Sequence, residues 1–484
     1  MYNGQNVDSN IVDISFEGTF YKKEKFSFFD DGNVSRWFGK KCKINLLTPY
    51  RKYSIVVIIH NLNVNNSFLK ITDLSNSKQF FLKRGTNILT FSTVSKYLDL
   101  ECEEIIDDSN IEKGYIIESI FVNNCNVCDD IRVSKNFKHV QIYNTSAIKY
   151  IGQSGTTGYA SAAKGYIADY ILKNVPISWQ TLKFDNSKND TNHYVDVLCE
   201  SVIDKEYDNY DRAILHSTPD LWESFLKQNR NIPDIIGYCT WETNKLPKSW
   251  VNHINLLPEV WVPSSFNKEC FLNSGVKSKI KVVPHVWHPQ KLFNKKDIEV
   301  YDHLKNKVSK DKYTFYSIGE LNFRKGIEDL VCIFDNLNDQ YPDTQLILKI
   351  HYKDYSSNNK QYCINEINKL TTKVGKSVHL LLDNLNNKDI IGLHSFGDCY
   401  VSLNKGEGFG LTVFDAFNYN KKIITTAYGG QIEYLGTNYS GLVKYKLNKV
   451  NGMETFSRNY TADQEWGYPD LNHAYELMSN YINK

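Results

Sequence analysis

The stretch NKGEGFGLTVFDAFNYNKKIITTAYGGQIEYL, residues 404–435, decides the fold of this chain. It joins a glycine-rich turn that carries an acid, Glu407, to a predicted helix, a β-branched run and a second Gly-Gly pair. A strand-sized run, DCYVSL, precedes the turn, so the order is strand, glycine turn, helix and strand. This order is typical of parallel α/β units.

Glu407 stands in this turn between Gly406 and Gly408, ahead of the predicted helix. Glycines let a ligand approach the backbone closely, and the unpaired N–H groups at a helix start attract phosphate or polarised hydroxyl groups. Because a carboxylate repels phosphate, we expect Glu407 to accept hydrogen bonds from sugar hydroxyls. The structural alternative is a first-turn acid that stabilises the helix dipole. A second acid, Asp415, follows eight residues later on the helix.

Strand-sized apolar runs alternate with helical stretches on both sides of this motif. The C-terminal set lies at 313–319, 345–350, 377–382, 398–403 and 422–426. An earlier set lies at 139–143, 212–216, 234–239, 259–263 and 280–284, and a polar linker at 293–312 separates the two sets. Two successive α/β domains with a cleft between them are therefore predicted, because ligands of such sheets bind at the carboxyl ends of the strands.

Residues 1–138 show a different pattern. Short, β-branched and partly alternating runs, such as those at 68–74 and 86–94, are separated by turn signals, and no long helical period appears. We predict a β-rich, β-sandwich-like domain that folds independently of the rest. Two roles stay open for it: an oligomerisation or packing module, which would make the chain a homo-oligomer, or a carbohydrate-binding domain.

Composition and charge restrict the class of protein. With 41% hydrophobic and 23% charged residues, the 484-residue chain is globular and long enough for roughly three domains. Its net charge of +2 gives no reason to expect nucleic acid as a partner. The N-terminus lacks the features of a signal peptide, and the longest apolar run, at 54–59, is too short to span a membrane. We expect a cytoplasmic protein without a transmembrane segment.

Only Cys125 and Cys128 form a C-x-x-C pair, and no second pair completes a zinc site, so no metal centre is expected.

Three further candidates follow strands of the first α/β domain. The loop GQSGTTGY, residues 152–159, has glycines ahead of a helix and makes an anion-friendly turn, although a plain βα turn is the alternative. Its spacing differs from the G-x-G-x-x-G of dinucleotide sites. His216 ends one strand, where a lone histidine is more often a structural group. Glu242 follows another strand and either lines the acceptor side or caps a helix.

Three segments together resemble one family. EGFGLTVFDAFNYNKKIITTAYGGQIEYL is similar to the donor-site signature of retaining glycosyltransferases with the GT-B fold, of the family-4 type (glycosyl transferases group 1). SIGELNFRKGIEDL, residues 317–330, resembles the strand, glycine and Lys-Gly of the same domain. Residues 240–289 resemble the end of the family's N-terminal domain. The resemblance covers residues 140–440, to within a few residues.

The resemblance implies a GT-B fold, in which two Rossmann-like α/β domains face each other across a cleft. In this chain the β-rich domain at 1–138 would precede them. The expected acceptor-side domain is 139–292, joined by a C-terminal helix at 470–484. The expected nucleotide-sugar donor domain is 293–469.

The resemblance also implies an activity. A sugar would move from a nucleotide diphosphate sugar to a hydroxyl of a carbohydrate or glycosylated acceptor, with retention of configuration and without a metal or cofactor. The expected catalytic residues are Glu407, which orients the sugar, and His216, which assists the acceptor. Lys325 and Arg324 would neutralise the diphosphate, and Asp415 would hold the ribose. The full set of expected substrate-binding residues is Gly155, Gly158, Glu242, Arg324, Lys325, Gly408, Phe409, Gly410, Leu411 and Asp415.

The chain departs from the family pattern at two positions. Glu320 stands where the family usually carries Arg, and Arg324 is a candidate to supply the lost guanidinium. Asp415 stands where the family usually carries Glu. Two alternatives therefore stay open. One is an inverting or phosphorolytic GT-B enzyme in which Glu242 or His216 acts as a base. The other is a non-catalytic sugar- or nucleotide-binding protein with a decayed transferase core.

Overall fold

The computed structural model describes residues 147–173, 175–182, 194–207, 209–288, 290, 292–351, 357–450 and 459–482, together with the strands that precede residue 147. Cys128, half of the C-x-x-C pair, lies outside the described residues. The chain divides into two compact units, residues 1–214 with 231–234 and residues 215–230 with 235–484. Among the described residues, no helix is both long and apolar enough to cross a membrane.

The first unit begins with antiparallel β structure, in keeping with the predicted β-rich region. Its strands are β1 (Ile11–Phe20), β2 (Glu24–Lys25), β3 (Val34–Leu46), β4 (Tyr53–Asn61), β5 (Ser67–Thr72), β6 (Ser77–Leu82), β7 (Gly85–Thr93), β8 (Tyr97–Cys102), β9 (Ile106–Asp108), β10 (Ile111–Lys113), β11 (Ile116–Val122), β12 (Cys125–Asn126) and β13 (Val140–Tyr143). β9 and β10 pair with each other, and the others form an eleven-stranded sheet around the order β6-β5-β8-β3-β11-β4-β7. Most side chains that would define a sandwich core lie outside the described residues.

The sequence predicts that the run at 139–143 starts the α/β part. The structure contradicts this prediction. Val140–Tyr143 instead pairs antiparallel with β1, with Ile11 opposite Tyr143. The parallel strands begin at β14 (Ala147–Gln153), directly ahead of the glycine loop. A short apolar run does not reveal its own partner, because strand register depends on residues far away in the sequence.

The α/β part of the first unit consists of β14, α1 (Gly158–Leu172), β15 (Ile177–Leu182), α2 (Tyr194–Glu200) and residues 210–214 of β16 (Tyr210–His216). β14 lies between β15 and β16 and runs parallel to β15. Thr157 caps α1, because its hydroxyl accepts a hydrogen bond from the Ala160 N–H at 3.1 Å. β15 is absent from the sequence-predicted strands.

The second unit contains two groups of parallel strands. The first group is β17 (Asp234–Tyr238), β18 (Glu259–Val262) and β19 (Lys279–Val282), side by side in that order. Its helices are α3 (Trp222–Gln228), α4 (Lys248–Ile254) and α5 (Ser265–Asn273). Every strand of this group coincides with a run that the sequence predicts.

The second group is a six-stranded parallel sheet made of β20 (Tyr313–Glu320), β21 (Thr344–His351), β22 (Val378–Leu381), β23 (Cys399–Ser402), β24 (Lys422–Thr426) and β25 (Leu442–Val443). Their order is β22-β21-β20-β23-β24-β25. The helices are α6 (Ile327–Gln340), α7 (Ser357–Leu370), α8 (Asn387–Phe396), α9 (Leu411–Asn418) and α10 (Ile432–Leu435). A hairpin of β26 (Tyr445–Lys449) and β27 (Glu465–Pro469) leads to α11 (Leu471–Ile482).

Strands of this sheet are buried along most of their length because both of its faces are covered. Seven of the eight residues of β21 are buried, for example. Parallel strands alternating with helices make the architecture Rossmann-like, so the predicted α/β fold class is confirmed.

The C-terminal helix does not join the acceptor-side domain, contrary to the prediction. Ala474, Met478 and Tyr481 of α11 are buried in the same core as Phe315 of β20 and Leu346 of β21. The apolar face of an amphipathic helix fits many partners, so its sequence alone does not select one.

The predicted domain limits also differ from the two observed units. α1 lies against β12 and α2 against β7, so the N-terminal sheet and the first α/β strands belong to one unit. The segment at 293–312 is not a free linker, because Val300 and Val308 are buried beside Tyr316 of β20.

Candidate active site

Glu407 lies in a tight turn between β23 and α9, and close contacts require the glycines on either side of it. A Cβ atom on Gly406 would lie 2.2 Å from the carbonyl oxygen of Glu242. A Cβ atom on Gly408 would lie 1.7 Å from Oγ1 of Thr240. The turn therefore packs directly on the segment that follows β17, and a side chain at either glycine position would separate the two.

The start of α9 completes this turn. Gly410 has a φ of +80°, in the left-handed region that favours glycine, and Leu411 is the first helical residue. Tyr434 donates a hydrogen bond from its hydroxyl to the Gly410 carbonyl at 2.9 Å. Phe409 is buried against the ring of Tyr434. The first turn of α9 contains no acid, so Glu407 is not the dipole-stabilising residue of the structural alternative.

Two cations from a neighbouring turn contact the Glu407 carboxylate. Lys325 Nζ lies 2.5 Å from Oε1 of Glu407, and Arg324 Nη1 lies 3.1 Å from the same oxygen. Arg324 Nη1 also donates to the Gly406 carbonyl at 2.7 Å. The side chains of Arg324 and Glu407 are only 12% and 13% exposed, so water screens their attraction weakly.

Local geometry explains why these cations lie at this point. Arg324 and Lys325 belong to a short 3-10 helix, Phe323–Lys325, that directly follows β20. The Asn322 side chain caps it by accepting the Lys325 N–H at 3.0 Å. Gly326 has a φ of +64°, and a Cβ atom there would lie 2.1 Å from the carbonyl oxygen of Leu403. Only glycine fits after the lysine, which accounts for the Lys-Gly pair.

A second carboxylate, Glu242, belongs to the same cluster. Arg324 Nη2 lies 3.9 Å from Oε1 of Glu242, and the Tyr460 hydroxyl donates to Oε2 at 3.3 Å. The cluster thus combines Arg324 and Lys325 with Glu242 and Glu407. Two cations and two ionised carboxylates give it a formal charge of zero.

The two carboxylates titrate differently. Burial alone would raise the pKa of Glu407, but the charges of Lys325 and Arg324 outweigh burial and hold that pKa below its ordinary value. For Glu242, burial raises the pKa, and the attraction of Arg324 offsets only part of this effect. Glu407 is therefore firmly ionised at neutral pH, whereas Glu242 takes up a proton more readily.

Tyr460 belongs to a C-terminal segment that sequence reasoning missed. Its ring stacks on Trp241 with 5.0 Å between the ring centroids. Nearby, three hydrogen bonds join Asn244 and Glu465, at 2.8, 3.0 and 3.4 Å. No recognisable motif surrounds Tyr460, so the sequence carries no signal that would connect it to Glu242.

Asp415 lies one turn into α9 and is partly exposed. Burial raises its pKa to about 7. Its carboxylate has no hydrogen bond or ion pair with any other described residue. The structure thus places Asp415 on the expected helix but does not bring it into contact with Glu407.

His216 is buried at 1% exposure, at the end of β16. Its ring packs on Tyr238 with a centroid distance of 4.4 Å, and the Tyr238 hydroxyl lies 3.2 Å from Nδ1 of His285. Burial lowers the pKa of His216 well below its ordinary value, so the ring is neutral. His285 in turn contacts the ring of Phe409. His216 is therefore linked to the glycine turn through other side chains and is not itself open to a ligand.

The remaining predicted residues lie at the expected loops. Gly155, with a φ of +101°, and Gly158, the first residue of α1, belong to the first unit. Glu320 ends β20 with its side chain exposed, where its Oε2 accepts a hydrogen bond from Asn322 at 2.9 Å. Glu320 therefore lies at the edge of the cluster, where its charge contributes less than Glu407 and Glu242 to the raised pKa of Arg324.

Comparison with known proteins identifies part of the chain. Residues 273–449 match the family described as glycosyl transferases group 1. These residues include Arg324, Lys325, Glu407 and Asp415. An uncharacterized glycosyltransferase of Methanocaldococcus jannaschii is 30% identical over 153 residues. That alignment covers 31% of this chain and 35% of the relative's own length.

Two solved structures resemble the chain more distantly. Sucrose-phosphate synthase from Thermosynechococcus elongatus is 14% identical, with a TM-score of 0.47, over 70% of this chain and 90% of that protein. HepE from Anabaena, solved in complex with UDP and glucose, is 14% identical, with a TM-score of 0.39, over 60% of this chain and 83% of that protein. Both TM-scores lie below 0.5.

Proposed function

We propose that this chain is a glycosyltransferase that moves a sugar from a nucleotide diphosphate sugar to an acceptor hydroxyl. In this proposal the anomeric configuration is retained and no metal ion takes part. The contact of the Glu407 carboxylate with Lys325 and Arg324 carries the proposal, because it joins an acid and two cations within the residues that match the family.

Lys325 and Arg324 would bind the diphosphate. Negative charge grows on the leaving phosphate as the sugar departs, and preorganised cations stabilise that charge. The described contact with Glu407 uses one of the three N–H groups of the Lys325 ammonium, and the Arg324 guanidinium presents its donors in a planar fork that suits phosphate. Because the cluster has a formal charge of zero without ligand, the incoming diphosphate would take over part of the contact that Glu407 and Glu242 make with these cations.

Glu407 would hold the sugar, and Asp415 would hold the ribose. The lowered pKa keeps Glu407 ionised, so its oxygens accept hydrogen bonds from sugar hydroxyls and favour positive charge on the anomeric carbon. Asp415 follows on α9 with a carboxyl that has no described partner and can bond to hydroxyls. A neutral ribose suits this residue, because burial disfavours its charged form.

Retention would follow from attack on the face that the diphosphate leaves. The acceptor oxygen bonds to the anomeric carbon as the bond from that carbon to the phosphate oxygen breaks. The acceptor proton passes to the departing phosphate oxygen, so no protein base is needed. His216 would support the turn through His285 and Phe409, since its burial argues against direct contact with the acceptor.

The raised pKa of Glu242 favours a second candidate function, an inverting transferase. A carboxyl with a raised pKa is better matched to general-base catalysis near neutral pH. In that case Glu242 would take the acceptor proton, and the product would have the opposite anomeric configuration.

The test measures donor turnover and product configuration. A panel of nucleotide diphosphate sugars is screened by thermal shift, since a ligand of the native state raises the melting temperature. The best donor is then followed by NMR with and without EDTA. We expect a product of unchanged anomeric configuration and full activity in EDTA. Inversion would support the Glu242 alternative, loss of activity in EDTA would contradict the metal-free reaction, and binding without turnover would indicate a decayed core.

Glu407→Gln tests the central residue. Loss of one preorganised electrostatic contact typically lowers turnover by about 10²–10³-fold, and we expect a decrease of that size. Binding of the bare nucleotide diphosphate should change little. Glu299→Gln is the matched control, because Glu299 forms an exposed ion pair with Lys307 outside the cluster. Equal activity of the two variants would contradict the role of Glu407.

A further inference from the structure

The second unit contains a cavity of about 600 Å³ that the proposed reaction does not use. It lies between α5, the loop that follows β24, and the start of β26. Its lining includes Asn244, Phe266, Glu269, Tyr428, Glu433 and Tyr445. None of the four charged side chains of the cluster lines it. Its volume is within the range of about 300–1,000 Å³ that is common for small-molecule sites.

Three aromatic rings form a continuous wall of this cavity. The ring centroids of Phe266 and Tyr428 are 5.1 Å apart, and those of Tyr428 and Tyr445 are 5.3 Å apart. Tyr428 is held in place, because its hydroxyl donates to the Glu465 carbonyl at 3.1 Å. Tyr445 is 39% exposed and leaves its ring available at the mouth. The C–H face of a sugar ring packs well on such a surface.

The polar groups of the cavity are mainly acceptors. Glu269 and Glu433 are exposed carboxylates, and no Lys or Arg occurs among the described lining residues. Glu433 Oε2 accepts the Ser265 N–H at 2.7 Å, so this carboxylate is fixed at the start of α5. Two like charges repel phosphate and nucleotides, whereas they accept hydrogen bonds from hydroxyl groups. The lining therefore disfavours anions and favours a ligand with several hydroxyl donors and an apolar ring face, as a neutral sugar has.

The cavity lies next to the loop that is hydrogen-bonded to the backbone of the Glu407 turn. Gly429 lines it, and the neighbouring Gly430 N–H donates to the Glu407 carbonyl at 2.7 Å. A Cβ atom on Gly429 would lie 2.7 Å from the same carbonyl oxygen. The cavity and the candidate active site thus share one loop without sharing their charged side chains.

We propose that this cavity binds a sugar unit of a neutral oligosaccharide. Given the proposed function, that oligosaccharide is the acceptor, and the bound unit lies away from the reacting hydroxyl. An acceptor with several sugar units would then gain affinity from the cavity that a single sugar does not.

The test uses the full chain with maltotriose, cellotriose and chitotriose as neutral probes, and binding is measured by calorimetry and ligand-observed NMR. We expect at least one trisaccharide to bind, Tyr445→Ala to weaken it by about 5–10-fold, and Glu269→Gln to weaken it as well. Tyr301→Ala, at an exposed tyrosine outside the cavity, is the control and should bind normally. Pyrophosphate should not compete.

Three results would overturn the proposal: no binding of any trisaccharide, unchanged affinity in Tyr445→Ala, or competition by pyrophosphate. Donor cleavage by the unmodified chain is measured separately. Donor cleavage without trisaccharide binding would contradict the cavity proposal and leave the proposed function standing. If trisaccharide binding depends on Tyr445 but no donor is cleaved, the result would contradict the proposed function and leave the cavity proposal standing.

Discussion

Arg324 lies between two carboxylates and ties three segments of the second unit together. Its Nη1 contacts Glu407 and the Gly406 carbonyl, while Nη2 lies 3.9 Å from Glu242. A lysine does not make these contacts at once, because its ammonium is a single point charge on a flexible stem. Lys325 makes one short contact with Glu407 and is more exposed, at 22%. The two neighbours are therefore expected to differ in what their removal does.

Alanine substitutions separate these two roles. Lys325→Ala should weaken nucleotide diphosphate binding about tenfold or more and leave nucleoside binding unchanged, because it removes a charge-assisted contact to phosphate. Arg324→Ala should weaken the same ligand and also lower the free energy of unfolding, since Glu242 and Glu407 lose a buried partner. Calorimetry and urea unfolding measure both effects, with Lys307→Ala as the exposed control. Equal loss of nucleoside and diphosphate binding would show that the cations shape the fold instead.

Asp415 gives the protein a pH dependence that can be measured. Its pKa is raised by burial to about 7, so between about pH 4 and pH 7 the folded chain holds a proton that the unfolded chain releases. The contribution of Asp415 to the free energy of unfolding must therefore fall as pH rises through this window. The amide side chain in Asp415→Asn cannot titrate. This variant should therefore lack the decrease in the free energy of unfolding, which amounts to at most about 4 kcal/mol.

Urea unfolding of both proteins across this pH window is the measurement. Asp311→Asn, at an exposed carboxylate, controls for the general change in charge. If the difference in stability between the unmodified chain and Asp415→Asn is the same at both ends of the window, the assignment is wrong.

At the scale of elements, the turn between β23 and α9 is packed against the segment that follows β17. Gly406 and Gly408 leave no room for a side chain on that surface, since Glu242 and Thr240 are in direct contact with them. The position of Glu407 is therefore set by backbone packing as well as by its ion pairs. A methyl group at this contact should move the turn as a whole.

Gly408→Ala is expected to destabilise the protein by about 1–3 kcal/mol, the usual effect of overpacking, and to reduce donor turnover because Glu407 shifts. Gly392→Ala is the matched control. Gly392 lies within α8, where an added Cβ would meet its nearest atom at 3.8 Å, so that variant should be neutral or slightly stabilised. Thermal unfolding and turnover measure both. A fully stable and active Gly408→Ala would contradict the close packing.

At the scale of the whole molecule, the N-terminal sheet and the first α/β strands make up a single compact unit. β13 pairs with β1 in the N-terminal sheet, and α1 and α2 lie against β12 and β7. This arrangement opposes the expectation that residues 1–138 fold independently.

Deletion of residues 1–138 is therefore expected to lower solubility and the melting temperature. It removes the partner of β13 and exposes the surfaces of α1 and α2, and an unpaired strand edge promotes aggregation. Size-exclusion chromatography and thermal unfolding of the shortened and full chains measure this. A shortened chain that is soluble, melts at the same temperature and binds donor would restore the prediction of an independent domain.

The sequence by itself determined the α/β class, most strands of the second unit and the turn that carries Glu407. These features are local: β-branched runs, helix-start glycines and the Lys-Gly pair depend on contacts between near neighbours. The placement of Glu407 and Lys325 in one donor site also followed, from two motifs of recognisable spacing, but their ion pair did not.

Only the tertiary structure decided the rest. It placed α11 in the core of the second sheet, paired β13 with β1, brought Tyr460 to Glu242 and buried His216. Each of these depends on which distant surface an apolar face or a strand edge meets. The periodicity of apolar residues indicates that such a face exists. The surface on which it packs is selected by packing and strand register across the whole chain.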